Sequence, residues 1–230
     1  MRYRAIFFDL YGTLVDDLRY PRRQELKYRR WKSKAAAILR VPVDDFTRVW
    51  SETVPHQSVG KIAGGHAPYE FICDTLDIDV AEDELKHAAE VGLEYVRYAL
   101  KPREGTDETL GRLRDAGIKV GLISNCLGDT SELWPSTRFA QLFDASILSF
   151  DVGLVKPDPR IYHLACERLE VDPRDCLFIG DGGSGELTGA SKVGMDVVLI
   201  RAPYDTESGD REDWRGARIS SVAEVLTLVE

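Results

Sequence analysis

No stretch of this chain holds the roughly 18–20 consecutive apolar residues that a bilayer-spanning helix requires. The opening Met1-Arg2-Tyr3-Arg4 runs into an apolar burst that ends at Asp9. That burst is shorter than a secretory signal's apolar region and lacks a small-residue cleavage site. Cysteine is scarce. Cys73, Cys126, Cys166 and Cys176 form no CxxC pair and no Cys/His cluster, so they read as reduced, buried thiols of a cytoplasmic protein. His56, His66, His87 and His163 share no spacing that would suit a metal or a catalytic set. Basic residues are in deficit, with Lys+Arg 30 against Asp+Glu 39. A net charge of -9 is a poor match for bare nucleic-acid backbone, and no nucleic acid is expected as a partner. There is no internal repeat and no low-complexity segment.

What is present is ordinary globular composition, 43% apolar and 30% charged, which argues against disorder. The length of 230 residues suits one domain with an insertion, or a large and a small domain. Two textures divide the chain. Arg4 to Phe8 is a short apolar run ending at an Asp, as a buried parallel strand would be. Residues 16–100 then carry helical periodicity, with helices expected near Arg22–Leu39, Asp44–Thr53, Pro68–Leu76 and Ala81–Leu100. Pro42, Pro55, Gly60 and Gly64-Gly65 punctuate them.

Beyond Pro102 strands and helices alternate. Thr106 reads as the N-cap of a helix to Ala116, with Gly117 just past its end. Strands are expected at Ile118–Ser124, Ala145–Phe150, Cys176–Gly180 and Asp196–Ile200, and helices at Asp158–Glu170 and Gly185–Val193. Such alternation implies a Rossmann-like α/β core, a parallel sheet with helices on both faces. The long helical stretch after the first strand reads as an inserted all-helical cap. The expected division is a core of 1–15 and 100–230 and a cap of 16–99. The polar stretch Ala202–Gly216 reads as a surface loop.

Ligands bind outside the carboxyl ends of parallel strands. The expected strand ends carry Asp9-Leu10-Tyr11-Gly12-Thr13-Leu14, then Ser124-Asn125, then Lys156-Pro157-Asp158-Pro159, then Gly180-Asp181-Gly182-Gly183-Ser184-Gly185-Glu186. A carboxylate, a hydroxyl beside an amide, an ammonium and an acidic glycine-rich loop together suit an anion beside a divalent cation.

Those four motifs, in that order, resemble the haloacid dehalogenase superfamily, most of whose members are phosphatases. The resemblance implies Asp9 as nucleophile, forming an acyl intermediate that water hydrolyses. It implies that Ser124, Asn125 and Lys156 bind the transferring phosphoryl and neutralise its charge, with Gly12 and Thr13 completing the substrate-binding turn. It further implies Mg²⁺ held by Asp9, Asp181, Glu186 and the main-chain carbonyl of Tyr11. Glu186 would ligate directly or through water. The expected partner is a small phosphorylated anion.

Tyr11 departs from the pattern. Family phosphatases usually carry Asp two residues after the nucleophile as acid/base, and a phenol with pKa near ~10 is a weak substitute. The Asp-x-Tyr-Gly-Thr form also resembles the family's 2-haloacid dehalogenases, which need no metal and release halide without a proton. The intact acidic loop points the other way, since three carboxylates together need a cation. A Mg²⁺-dependent phosphatase is the leading expectation. A metal-independent dehalogenase and a non-catalytic phosphate-binding protein are the alternatives.

Arg19 to Arg40 holds nine basic residues against one acid, Glu25. It reads as a solvated helix face with Leu26, Trp31, Ile38 and Leu39 turned inward, or as a surface attracting an anionic substrate or partner. Lys61-Ile62-Ala63-Gly64-Gly65-His66 reads as an interhelical turn, with substrate selection as the alternative. Tyr69 and Phe71 read as core.

Overall fold

The computed structural model describes residues 2–16, 22–205 and 211–229, with 22–26 described by backbone only. Arg19, and the side chains of Arg22, Arg23, Glu25 and Leu26, therefore lie outside the described residues. The elements run β1 (Ala5–Phe8), α1 (Arg22–Ile38), α2 (Val43–Gln57), α3 (Ala67–Thr75), α4 (Glu82–Ala99), α5 (Thr106–Asp115), β2 (Lys119–Ser124), α6 (Gly128–Leu133), β3 (Ala145–Leu148), α7 (Ser149–Val152), α8 (Pro159–Leu169), β4 (Cys176–Gly180), α9 (Glu186–Lys192), β5 (Asp196–Ile200) and β6 (Arg218–Ile219).

All the strands pair in parallel, in the order β3-β2-β1-β4-β5-β6. The chain builds outward from β1 to β3, then crosses back to lay β4 on the other side of β1. That reversal is the switch point at which open α/β sheets bind ligands. Successive residues of β1 point to opposite faces. Ile6 and Phe8 join the cluster containing Leu110 and Leu113 of α5, whereas Ala5 and Phe7 join the one containing Ile161 of α8 and Leu187 of α9. Burial on both faces explains why the strand is continuously apolar.

The helices α1 to α4 intervene between β1 and β2, and their aromatic residues pack in one continuous cluster with the Ile6 and Phe8 face of the sheet. Trp31 packs edge-on against Trp50 at 4.9 Å between ring centroids and stacks on Tyr95 at 5.5 Å. The chain enters and leaves this insertion side by side: Val15 bridges Pro102, and the Arg103 amide donates to the Leu14 carbonyl at 2.8 Å.

Several expectations need correction. Helix α2 runs past Pro55 to Gln57, because a proline in the last turn forfeits one bond where the helix is ending. The N-cap of α5 is Gly105 rather than Thr106, whose hydroxyl instead reaches the Leu14 carbonyl at 3.4 Å. The third strand stops at Leu148, since Ser149 begins α7. Phe71 is 40% exposed and not core, while Tyr69 is fully buried. The four cysteines are free and buried, as expected.

Candidate active site

The register at the switch point sets Phe8 of β1 opposite Ile179 of β4, and the Asp9 amide donates to the Ile179 carbonyl at 2.9 Å. Asp9 and Asp181 therefore leave the ends of adjacent strands together. Asp9, Asp181 and Glu186 are all buried, with a carboxylate oxygen from each within 4.8 Å of the others. Two close approaches permit this. A Cβ at Gly12, whose φ is +81°, would lie 2.1 Å from Asp181 Oδ2, and one at Gly180 would lie 2.2 Å from Glu186 Oε1. Glycine leaves the room that the two acids occupy.

Lys156 follows β3 and α7 and is 4% exposed. Its Nζ donates to Asp9 Oδ1 and, at 2.5 Å, to Glu186 Oε2. Burial works against its charge, but Asp9 and then Glu186 outweigh it, so its pKa is raised and it stays an ammonium. Glu186 is pushed well above the usual carboxylate range, first by burial and then by Asp9, with Lys156 pulling it back. The Gly182 amide donates to Glu186 Oε1 at 3.0 Å, and the Gly183 amide to Asp181 Oδ1 at 2.9 Å.

Asn125 lines the same cavity as Asp9 and also braces the lysine loop. Its Oδ1 accepts from the Lys156 amide at 2.8 Å and its Nδ2 donates to the Lys156 carbonyl at 3.2 Å, tying the end of β2 to the lysine loop. Ser124 is fully buried, and its Oγ has no hydrogen-bond partner. The Gly12 amide is spent on the Val15 carbonyl at 2.8 Å, and Thr13 is fully buried with its hydroxyl unpartnered. Ser124, Gly12 and Thr13 lie behind the wall of the cavity that opens onto Asp9, a space of about 360 Å³.

Tyr11 does line that cavity. Its hydroxyl pairs with Thr130 Oγ1 at 2.8 Å, and burial raises its pKa far above the usual phenol value. It is a neutral phenol with little capacity as an acid. The far wall comes from the helical insertion, where Tyr28, Trp31, Trp50 and Tyr95 face the cavity. Asp129 of α6 lies there too, its Oδ2 gathered with Tyr69 Oη and Trp31 Nε1 around Gly92 of α4.

The residues that sequence reasoning missed lie in the stretch read as a surface loop. Arg211 bridges Gly183 and is buried, with its Nη2 2.7 Å from Asp181 Oδ2. Glu212 accepts from the amides of Leu187 and Thr188 at 2.8 and 3.0 Å, closing the first turn of α9. No local signal marks them, because their burial depends on a bridge to Gly183, a loop residue far upstream in the chain.

Divalent magnesium takes carboxylate and carbonyl oxygens, and the three acids beside the glycine cradle at position 12 supply such a set. The residues present fit the ion.

A family model described as haloacid dehalogenase-like hydrolase matches residues 3–194. A glyceraldehyde 3-phosphate phosphatase from Methanopyrus kandleri is 28% identical over 98% of this chain and 97% of its own. An (S)-2-haloacid dehalogenase 4A from Burkholderia cepacia is 28% identical over 86% of this chain and 82% of its own. Among solved structures, a HAD phosphatase from Thermococcus onnurineus shares the fold with a TM-score of 0.67 at 24% identity, over 98% of this chain and 97% of that one.

Proposed function

Because the chain belongs to the haloacid dehalogenase-like hydrolase family, we propose that it hydrolyses a small phosphomonoester, with Asp9 as nucleophile and Mg²⁺ as cofactor. The observation that carries this reading is the convergence of Asp9, Asp181 and Glu186. Three buried carboxylates repel one another unless positive charge is shared among them; Lys156 spans Asp9 and Glu186 and Arg211 pairs with Asp181, which still leaves the three acids one positive charge short. The Methanopyrus kandleri phosphatase, named for glyceraldehyde 3-phosphate, supports a small phosphorylated substrate.

In this reading Lys156 holds Asp9 Oδ1 and aligns the other oxygen for in-line attack on phosphorus. The Asp9–phosphorus bond forms as the bond to the leaving oxygen breaks, giving an aspartyl-phosphate. Water then attacks that phosphorus, releasing inorganic phosphate and the Asp9 carboxylate. Lys156, which lines the cavity, stabilises the phosphoryl oxygens. Asp9, Asp181, Glu186 and the Tyr11 carbonyl would hold Mg²⁺, which when bound adds fixed positive charge beside the phosphoryl group. Tyr11 donates no proton, so the leaving oxygen takes its proton from water, and substrates with good leaving groups are favoured.

Hydrolysis of p-nitrophenyl phosphate with Mg²⁺ and with EDTA tests this. Turnover is expected with Mg²⁺, absent in EDTA, and reduced at least about a thousandfold in Asp9→Asn. Retained turnover in Asp9→Asn overturns the mechanism. Tyr11 favours a second reading, metal-independent dehalogenation of a 2-haloacid, in which Asp9 displaces halide from carbon and the leaving group needs no proton. The Burkholderia cepacia relative carries that name. Chloride release from 2-chloropropionate in EDTA, without p-nitrophenyl phosphate turnover, selects it.

A further inference from the structure

The acidic loop already carries a cation of its own. Asp181 Oδ1 accepts from the Gly183 amide at 2.9 Å, and Asp181 Oδ2 forms an ion pair with Arg211 Nη2 at 2.7 Å. Both side chains of that ion pair are almost fully buried, 3% and 4% exposed, so little water screens it. Arg211 is not a loose surface side chain. Its backbone bridges Gly183, and the next residue is fixed three ways: the Glu212 amide donates to the Gly182 carbonyl at 2.9 Å, and its carboxylate accepts from Leu187 and Thr188.

We propose that Arg211 is a competitor built into the chain, whose guanidinium occupies the side of Asp181 that a divalent cation needs. It holds the acid cluster together without metal and weakens metal binding. The proposal rests on the metal-dependent reading above. The charges argue it directly. With all three acids ionised, as metal ligands must be, Asp9, Asp181 and Glu186 against Lys156 alone leave two negative charges, which a divalent cation neutralises. With Arg211 present only one remains, and the same cation overshoots. A guanidinium and a divalent cation sharing one carboxylate also repel each other across a short, poorly screened distance. Metal loading therefore requires Arg211 to give up Asp181 Oδ2.

Calorimetric titration of MgCl2 into the full chain, with no substrate present, reads this out independently of activity. Arg211→Gln is expected to bind Mg²⁺ at least about tenfold more tightly than the wild type, because the repulsion is gone. Arg211→Lys keeps the charge, and its dissociation constant should stay within about threefold of the wild type. The wild-type chain supplies a measurement that needs no variant to fold. Saturating Mg²⁺ should quicken hydrogen exchange at the Arg211 and Glu212 amides, since the segment loses its buried anchor. Equal or weaker affinity in Arg211→Gln, or unchanged exchange in the wild type on binding, overturns the proposal and leaves the metal site standing. Absence of Mg²⁺ binding in both chains overturns the metal-dependent reading with it.

Discussion

Asp129 shows what a single buried carboxyl does to this protein. Its pKa is pushed up to about 7, first by burial and then by Glu132 nearby. In the folded state it holds its proton more tightly than in the unfolded chain. Stability therefore falls as pH rises from the usual carboxylate range toward 7, and the full penalty, up to about 4 kcal/mol, is present above it. Asp129→Asn should gain least over the wild type at about pH 4, in the usual carboxylate range, and melt several degrees higher at about pH 8, with a flattened pH profile. A melting difference that does not change with pH would show that Asp129 is not desolvated. Asp129 was not legible in the sequence, for its carboxyl is perturbed by the aromatic wall of the insertion, which reads locally as helix core. Asp9 and Asp181 were legible because each directly follows an apolar strand, and Lys156 and Glu186 because each lies in a recognisable motif a few residues beyond one. Arg211 was not, because nothing around it in the chain marks a buried cation.

At the scale of elements, the two crossings between sheet and insertion form one joint. Arg103 is the pin: its guanidinium reaches Asp205 Oδ1 at 2.7 Å and Asp16 Oδ1 at 3.1 Å. The Arg103 and Asp205 side chains are 5% and 9% exposed, so removing Arg103 leaves Asp205 buried without its guanidinium, and removing Asp205 leaves Arg103 buried with only the half-exposed Asp16. Arg103→Gln or Asp205→Asn should each lower stability by about 3–5 kcal/mol, and the double variant by much less than their sum. Urea melts of the two single variants and the double variant check this; additive losses would show that the pair does not act as a unit. The strands and helices of this joint were legible from periodicity, but its pin was not. Asp205 lies in a polar stretch read as a loop, and the two-residue strand β6 is too short to carry a pattern. Alternation of strand and helix was enough for the parallel sheet, and the order β3-β2-β1-β4-β5-β6 then brings together motifs that lie far apart in the chain.

For the molecule as a whole, a net charge of -9 repels a phosphate dianion at long range. The positive pole is the exposed side of α1, where Lys27, Arg29, Arg30 and Lys34 face solvent, while Tyr28 and Trp31 of the same helix line the cavity. Trp31, Ala35 and Leu39 turn inward while Lys27, Arg29, Arg30, Lys34 and Arg40 are exposed; Lys32 is buried, so the expected solvated face holds for most of the described basic residues but not for that one. A cationic face on a helix that also lines the cavity offsets the overall repulsion over about a Debye length, roughly 10 Å at 0.1 M salt. Reversing two of these charges, Lys27→Glu with Arg30→Glu, should lower kcat/KM for an anionic substrate several-fold at low ionic strength. The loss should shrink as salt rises, and kcat should hold, because neither residue touches the reacting groups. An equal loss at high salt would assign the two side chains to a direct contact, and no loss at any salt would leave the basic face without a role in substrate capture.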